Sequence, residues 1–253
     1  MTRILVTNDD GVHSEGIRVL AAALAPLGQV TIVAPHQEAS AIGHALTLRR
    51  PLRIETHGTG IYAVDGTPTD CVNLGVDVIM RDHPPALVVS GINKGWNLGD
   101  DVTYSGTVSG ALEGILLGVP SIAVSLKREA VFDFTEAARA AAAVAESVLR
   151  QGLPPRTLLN LNVPTGVPKG LRATVQAKRN HVTKIDSRTD PRGGLYYWIE
   201  EGLNDWEING GKSDYEAVMA GYVSVTPIQP DMTAYDALMI VETLAAELRT
   251  TAD

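Results

Sequence analysis

The chain opens with a strand–helix–strand pattern. Residues 4–7 are a four-residue apolar run with β-branched members, which is typical of a buried strand, and residues 29–34 form a second such run. Between them, Ser14 can cap a helix over residues 15–25, which Pro26 can end. Two buried strands joined by one helix at this spacing form a right-handed βαβ unit. We therefore expect an α/β fold whose sheet is mostly parallel.

The first predicted strand ends in Asn8-Asp9-Asp10-Gly11. Two adjacent carboxylates in a partly dry crevice repel each other, and a divalent cation with oxygen ligands would neutralise them. The alternative is a solvated turn, because Asn, Asp and Gly are the usual turn residues. The position favours the cation, since open α/β sheets bind their ligands at the carboxyl ends of the strands. Asp9 or Asp10 can also serve as the catalytic general base.

The middle of the chain repeats these elements. A hairpin is predicted around residues 56–60, and Thr67 with Pro68 predicts the start of a helix. A capping box at residues 133–136 predicts the start of an alanine-rich helix. Three further apolar runs are predicted strands: residues 86–90, 120–126 and 157–163.

Composition limits the classes of function. The 253 residues are 45% hydrophobic and 20% charged, as in an ordinary soluble globular protein. A net charge of −8 argues against a general binder of nucleic acid or membrane surfaces, but not against small anionic substrates held beside a metal. The single Cys71 excludes an internal disulfide and fits a reducing compartment. The first apolar run is too short for a signal peptide and no run spans a membrane, so we expect a cytoplasmic protein.

Candidate ligands follow two later strands. Ser40 and the pair Gly43-His44 lie in the loop after the second predicted strand, although a lone loop serine is usually a turn residue. The glycine-rich segment at residues 91–101 follows a core strand and holds Asn93. Glycines after a core strand indicate a loop whose backbone closely approaches a ligand. We assign Gly43 and His44 to a substrate-binding loop.

A helix is predicted to begin at Ser105-Gly106-Thr107. Two hydroxyls and free amides at a helix N-terminus make a ready anion site. The alternative is an ordinary cap on a helix that packs closely through small residues. We assign these three residues, together with Asn97, to the phosphate of a substrate.

Four oxygen-bearing side chains would then share one edge of the sheet: Asp9, Asp10, Ser40 and Asn93. Hard oxygen ligands select magnesium, manganese or calcium over zinc. A metal beside a phosphate cradle predicts a phosphomonoesterase, because the ion polarises the phosphoryl oxygen and activates water.

Other phosphate-handling proteins match less well. A phospho-acceptor receiver domain also has paired acids after its first strand, and it is the alternative function, but its later loops carry an aspartate and a lysine. Haloacid-dehalogenase phosphatases need an aspartate where Gly11 stands. A dinucleotide-binding module would have Gly-x-Gly-x-x-Gly after the first strand, which is absent here.

Five motifs, in order between residues 4 and 227, resemble those of one known family. They are Asn8-Asp9-Asp10-Gly11, Gly66-Thr67-Pro68-Thr69-Asp70-Cys71, Ser90-Gly91-Ile92-Asn93-Lys94-Gly95, Tyr104-Ser105-Gly106-Thr107-Val108 and Gly221-Tyr222-Val223-Ser224-Val225-Thr226-Pro227. The family that they resemble is the survival protein SurE family of metal-dependent nucleotidases. The resemblance covers nearly the whole chain.

The resemblance implies a Rossmann-like core with helices on both faces of the sheet. It implies hydrolysis of nucleoside 5′- and 3′-monophosphates, with polyphosphate as a further substrate in some members. It gives the role of metal ligand to the same four oxygen-bearing side chains, with one Mg²⁺ or Mn²⁺ per subunit. Two positions depart from the family pattern: Ala39 stands where an arginine is frequent, and Trp96 stands where a proline is common. Neither is a ligand, but both bear on substrate preference.

The C-terminal part of the chain has a different sequence pattern from the rest. Polar, glycine-rich segments separate short predicted strands, and Thr233 caps a last predicted helix over residues 234–248. We divide the chain into a catalytic core at residues 1–175 and an extension at residues 176–253 that completes the same domain with a β-hairpin and a helix. Tyr196-Tyr197-Trp198 cannot be buried by its own segment and indicates a subunit interface. The resemblance implies homodimers or homotetramers that exchange this segment.

Overall fold

The structure is a computed structural model. It describes residues 1–250, with side chains described throughout except at residues 179–183, 200–205, 246–247 and 249–250. The last three residues of the predicted extension therefore lie outside the described part of the chain.

Strands and helices alternate through the first two thirds of the chain, as the sequence predicts. In chain order the elements are β1 (Arg3–Thr7), α1 (Glu15–Leu24), β2 (Gln29–Pro35), β3 (Ile54–Gly58), β4 (Ile61–Val64), α2 (Pro68–Leu74), β5 (Leu87–Lys94), α3 (Gly106–Leu116), β6 (Ser121–Leu126), α4 (Thr135–Gln151), β7 (Leu158–Val163), β8 (Leu171–Ala173), β9 (Arg179–Thr189), β10 (Leu195–Trp206), α5 (Asp214–Met219), β11 (Val223–Ile228) and α6 (Leu238–Thr250).

Nine of the strands form one sheet in the order β3-β4-β2-β1-β5-β6-β7-β11-β8. Strands β3 and β4 are antiparallel, as are β7 and β11, and every other neighbouring pair in this sheet is parallel. Strands β9 and β10 form a separate antiparallel hairpin. The predicted α/β class, the mostly parallel sheet and the C-terminal hairpin are confirmed.

Apolar side chains cover both faces of the sheet. Along β1, Ile4 and Val6 pack in one cluster with side chains of α1 and α4, while Leu5 between them packs in another cluster with α2. This alternation follows from the two-residue period of a strand. Helices on both faces are therefore confirmed, and the carboxyl ends of the parallel strands are left at one edge of the layered core.

Helices α1 and α2 begin as predicted, and α4 does not. The Ser14 hydroxyl accepts from the Ile17 N–H at the start of α1, and Thr67 with Asp70 forms a full capping box at the start of α2. The capping box predicted at residues 133–136 is wrong. Helix α4 begins at Thr135 without a side-chain cap, because Asp133 accepts the Thr135 N–H at 2.9 Å in a local turn instead.

The C-terminal region contributes to two parts of the molecule. Strand β11 lies inside the main sheet, between β7 and β8, whereas β9 and β10 pair with each other and with no further strand of residues 1–250. Helix α6 begins at Leu238 rather than at residue 234, because residues 235–237 form a 3₁₀ turn. Within residues 1–250, no helix is both long enough and apolar enough to cross a membrane.

Candidate active site

The loops after three strands meet at one edge of the sheet. Strands β1 and β5 are neighbours with Thr7 opposite Ser90, so the residues that follow these two lie side by side. The loop after β2 joins them, because the Ala39 N–H donates to the carbonyl oxygen of Asp9 at 2.8 Å. The segments that carry the predicted metal ligands are thereby brought to a common edge.

Asp9 is buried against the start of α3. It is 4% exposed, and its carboxylate accepts hydrogen bonds from the Thr107 hydroxyl and from the Thr107 N–H, the latter at 3.1 Å. Burial raises the pKa of Asp9 from 3.8 to about 6, while the Thr107 hydroxyl opposes this rise and the charge of Asp10 adds to it. The anion at this helix N-terminus is thus the Asp9 carboxylate, and both donors of Thr107 serve it rather than a free site.

Small and capping residues make room for this contact. A Cβ on Gly106 would lie 2.8 Å from the Cβ of Asp9, so a larger residue there would displace the carboxylate. Ser105 is the N-cap of α3, and its Oγ accepts the Val108 N–H at 3.0 Å. Ser105 and Gly106 therefore shape the start of the helix, and their contact with a substrate phosphate stays a prediction.

Asp10 is half-buried among charges of both signs. Burial raises the pKa of its carboxyl group, the positive charges of Lys94 and Arg128 lower it, and the negative charge of Glu38 raises it. The carboxylate also accepts the Lys94 backbone N–H. Its Oδ2 atom is buried and has no hydrogen-bond partner among the described residues. One oxygen of Asp10 is consequently available to bind a cation or a hydrogen-bond donor from outside the protein.

Further buried side-chain oxygens near the end of β1 and in the middle of β5 also lack a partner within the described part of the chain. The buried side-chain oxygens there that lack a hydrogen-bond partner within the described residues are Thr7 Oγ1, Asn8 Oδ1, Asp10 Oδ2 and Ser90 Oγ. Leaving a buried polar group without a partner costs about 1–3 kcal/mol, so native proteins seldom gather several in one place. Thr7 and Ser90 lie against Gly110 of α3, whereas the Asn8 amide bonds Ser14 at the start of α1. Asp10 is the charged group of the four, so its lack of a partner costs the most.

The other two predicted metal ligands flank this group. The exposed Ser40 donates its hydroxyl to Glu38 Oε1 at 2.6 Å, which leaves the lone pairs of its oxygen available. Asn93 is half-buried and donates its Nδ2 to the Gly95 carbonyl oxygen at 2.9 Å, so Oδ1 is the open atom of the amide. Both side chains present oxygen, as the prediction requires.

Asn97 lies in a different environment, over the ends of β6 and β7. Its Nδ2 donates to Ser125 Oγ at 2.7 Å, and its backbone N–H donates to Asn162 Oδ1 at 2.8 Å. Its carbonyl oxygen accepts from Asn160 and Asn162. The amide donors that would bind a phosphate are therefore engaged inside the protein, and a phosphate contact by Asn97 stays a prediction.

The predicted substrate-binding loop is tied to α3. His44 Nε2 lies 2.7 Å from Glu113 Oε2, and Asn73 donates to the other oxygen of the buried Glu113 at 2.7 Å. Gly43 has φ of +61° and donates its N–H to the Tyr104 carbonyl oxygen at 3.1 Å. The loop is thus held over the segment from which Thr107 reaches Asp9.

The sequence profile described as survival protein SurE matches residues 4–184. The chain belongs to the survival protein SurE family. One SurE relative, the 5′-nucleotidase SurE of Pelobacter propionicus, is 50% identical over 244 residues, which cover 95% of this chain and 98% of that protein. Another, the 5′-nucleotidase SurE 1 of Thermus thermophilus, is 51% identical over 240 residues, 92% of this chain and 94% of the relative.

A solved structure agrees with this assignment. The crystal structure of the SurE protein from Aquifex aeolicus matches with a TM-score of 0.86 at 44% sequence identity, over 96% of this chain and 99% of that one. Membership of the SurE family removes the ground for the receiver-domain alternative.

The donor set of this SurE-family chain fits a hard divalent cation. The four predicted ligands offer two carboxylates, a hydroxyl and an amide oxygen, which are the ligand types of Mg²⁺ and Mn²⁺. The unpartnered Oδ2 of Asp10 is the structural observation that supports this fit. A cation there would also offset the desolvation that raises the carboxyl pKa values of Asp9 and Asp10.

Sequence reasoning missed several residues of this site. Glu113 had a usable signal, since it is the single charged residue between Tyr104 and Gly118 in a segment otherwise fit for burial. Asn73 and Arg128 carried no such signal in the sequence, because each reaches the site from an element that is distant along the chain.

Proposed function

We propose that the chain is a divalent-metal-dependent phosphomonoesterase that hydrolyses nucleoside 5′- and 3′-monophosphates, with short polyphosphate as a further substrate. The observation that carries the proposal is the buried, unpartnered Oδ2 of Asp10 beside the buried Asp9 at the end of β1. The relatives named 5′-nucleotidase, at 50% and 51% identity over most of the chain, support the nucleotide substrate.

In this proposal Asp9, Asp10, Ser40 and Asn93 hold one Mg²⁺ or Mn²⁺ per subunit. The chemistry that such an ion supplies is polarisation of the phosphoryl oxygen and a lower pKa for the attacking water.

The protein's own groups set the geometry of the reaction. Two hydrogen bonds from Thr107 fix the Asp9 carboxylate in one orientation. Asp9 or Asp10 accepts the proton of the attacking water as general base. The positive charges of Lys94 and Arg128 act on Asp10 and give this edge of the sheet an attraction for an anionic substrate.

Phosphate release from a substrate panel tests the proposal. The panel contains nucleoside 5′-monophosphates, nucleoside 3′-monophosphates and tripolyphosphate, each with Mg²⁺, Mn²⁺, Ca²⁺ or excess chelator. We expect release from the nucleotides only when an ion is present. Full activity of a protein sample with no measurable metal would contradict the proposed metal dependence. Activity on tripolyphosphate without any on the nucleotides would contradict the substrate class.

We also infer that residues 176–253 form an extension for oligomerisation, with β11 completing the core sheet, and that the active form is a homodimer or homotetramer with exchanged C-terminal segments. The β9–β10 hairpin pairs with no other strand of the described chain. Three apolar side chains of β10 in a row are largely exposed: Tyr197 at 62%, Trp198 at 57% and Ile199 at 78%. A soluble protein seldom leaves such a patch uncovered.

Light scattering of the full chain and of Trp198→Glu tests this assembly. The wild type should be a dimer or tetramer at micromolar concentration, and the variant should lose subunits. The matched control is Val131→Glu, which places the same charge at an apolar position that is 83% exposed but outside the hairpin. A monomeric wild type would contradict the exchange.

A further inference from the structure

Three ligand-type side chains meet on the other side of β2 from the active site. His36 directly follows β2, while Glu55 and His57 lie two residues apart on β3 and so share one face of that strand. Strand β4 lies between β2 and β3, and the His36 N–H donates to the Val64 carbonyl oxygen at its end, at 2.9 Å. This backbone bond brings the His36 ring over β3.

The ligand atoms are close enough to share one ion. One atom from each of the three side chains lies within 4.8 Å of the others. His36 Nε2 is 3.3 Å from Glu55 Oε2, and His57 Nε2 is 3.7 Å from the same oxygen. Tetrahedral zinc with bond lengths of about 2.0–2.2 Å requires neighbouring ligand atoms about 3.3–3.6 Å apart. Both distances to Glu55 are near this value. The remaining pair of ligand atoms, on His36 and His57, lies within 4.8 Å, so side-chain movements of about 1 Å would complete the coordination.

The chemistry of the donors points to a different ion from that of the active site. Two imidazole nitrogens with one carboxylate oxygen are a usual zinc set, whereas the Asp9 and Asp10 edge offers only oxygen. The three ligands leave a fourth tetrahedral position. His13 contacts the cluster through His57, with the two ring centroids 5.0 Å apart.

A simple ion pair explains the cluster less well. Within the part of the chain that the structure describes, the ion-pair partners of Glu55 are the two histidines, with no lysine or arginine among them. The two imidazole rings stand 5.8 Å apart, centroid to centroid, and both face the same exposed carboxylate. One divalent cation would engage both imidazoles and the carboxylate at once.

We propose that His36, Glu55 and His57 form a zinc site separate from the active site. The bound zinc links β3, the edge strand of the sheet, to the end of β2 across β4. It also fixes the start of the loop that carries Ser40.

Zinc and cobalt titration of the full-length protein tests the site. The titration is run by calorimetry with excess Mg²⁺ present, in the Asp10→Asn variant, so that the oxygen-rich site does not compete. We expect one equivalent of Zn²⁺ to bind, and one equivalent of Co²⁺ to give the visible absorption of a tetrahedral complex. His57→Ala in the same background should weaken zinc binding at least about 10-fold, because it removes a direct ligand.

Matched variants make the result decisive. Glu55→Gln keeps the size of the side chain but removes its charge, and it should also weaken binding. His83→Ala removes an exposed histidine outside the cluster and should leave binding unchanged. The proposal is overturned if the protein binds no equivalent of zinc, or if His36→Ala and His57→Ala, shown by circular dichroism to be folded, bind it as tightly as their parent.

Discussion

Two carboxylates in this molecule, Asp214 and Asp10, have very different partners. Asp214, the first residue of α5, accepts hydrogen bonds from the backbone N–H groups of Gly99, Ala177 and Tyr215 at 2.7–2.9 Å. Asp10, at the end of β1, keeps a buried Oδ2 without a partner among the described residues. Burial raises the carboxyl pKa of both groups. The direction of the pKa shift therefore does not distinguish them, whereas their hydrogen bonds do.

The difference separates a structural acid from a candidate functional one. Asp214 joins three segments of chain, and its oxygens have no remaining need for a ligand. Asp10 has one oxygen to which the fold supplies no hydrogen-bond donor. This missing bond lowers the stability of the folded state unless a ligand is bound. An acidic residue is thus a candidate for function when its carboxylate oxygens lack hydrogen-bond donors. It has a structural role when backbone N–H groups supply those donors.

The largest expected effect follows from removing the charge of Asp10. Asp10→Asn keeps the shape of the side chain, so the metal-free variant should be as stable as the wild type or slightly more so. Its kcat/KM for nucleoside monophosphates should fall about 1000-fold, or about 4 kcal/mol of transition-state free energy, because a metal ligand is lost. Phosphate release under saturating Mn²⁺ measures this.

Thermal unfolding with and without Mn²⁺ is the control. A cation bound only by the folded state adds about 2.7 kcal/mol at 100 times its Kd, which for a chain of this size is a rise of roughly 5–10 °C in Tm. The wild type should show this rise and Asp10→Asn should lose most of it. A variant that melts far below the metal-free wild type yet keeps the full rise would make Asp10 a structural residue like Asp214.

Asp214→Ala should have the opposite effect, with a loss of stability and no loss of metal binding. It leaves the three backbone N–H groups without their acceptor, and we expect a loss of about 3 kcal/mol, or roughly 6–12 °C in Tm. Affinity for Mn²⁺, measured by calorimetry on the folded variant, should not change. Asp214→Asn keeps one acceptor oxygen and should lose less. If Asp214→Ala instead weakened Mn²⁺ binding while leaving Tm unchanged, the distinction between the two acids would fail.

The repeating elements of the fold were predictable because each is encoded locally. The apolar runs that become β1 and β2 can be recognised without knowing which strands they pair with, and Ser14 caps α1 from its own side chain. The capping box at Asp133 failed for a reason that is also local, since its carboxylate bonds two residues ahead. Strand β9 was missed because its polar sequence pairs only with β10.

The candidate site was predictable only in part, for a related reason. That Asp9 and Asp10 end a core strand is visible in the sequence. That Thr107 serves Asp9 is not, because the two residues are 98 positions apart and an anion site at a helix start looks the same whichever anion fills it. The pairing of His44 with Glu113 spans 69 positions and is equally hidden.

A smaller effect is expected from pH in the metal-free protein. Burial raises the pKa of Asp9 from 3.8 to about 6, so the folded state holds this proton more tightly than the unfolded chain. The resulting stabilisation is fully present below pH 4 and is lost as the pH rises through about 6. The free energy of unfolding should therefore fall by on the order of 2 kcal/mol between these values, relative to Asp9→Asn.

Urea unfolding of the chelator-treated protein at several pH values measures this difference. The comparison with Asp9→Asn matters because Asp214 also has a raised carboxyl pKa and contributes a dependence of the same sign. Identical pH profiles for the wild type and Asp9→Asn would contradict the assignment of the dependence to Asp9.

The smallest expected effect decides what Thr107 does. Thr107→Val keeps the shape of the side chain and the backbone N–H bond to Asp9, and removes only the hydroxyl bond. Because that hydroxyl holds down the pKa of Asp9 and orients its carboxylate, affinity for Mn²⁺ should fall about 10-fold, which is about 1.4 kcal/mol.

Ser105→Ala is the matched control for Thr107→Val. It removes the cap of α3 without touching Asp9, so it should lower Tm and leave Mn²⁺ affinity unchanged. An increase in KM for nucleotides in Thr107→Val, with unchanged Mn²⁺ affinity, would instead show that the hydroxyl turns to the substrate phosphate, as the sequence predicted. Asp9 would then lack a side-chain donor during the reaction, and both carboxylates at the end of β1 would rely on the metal.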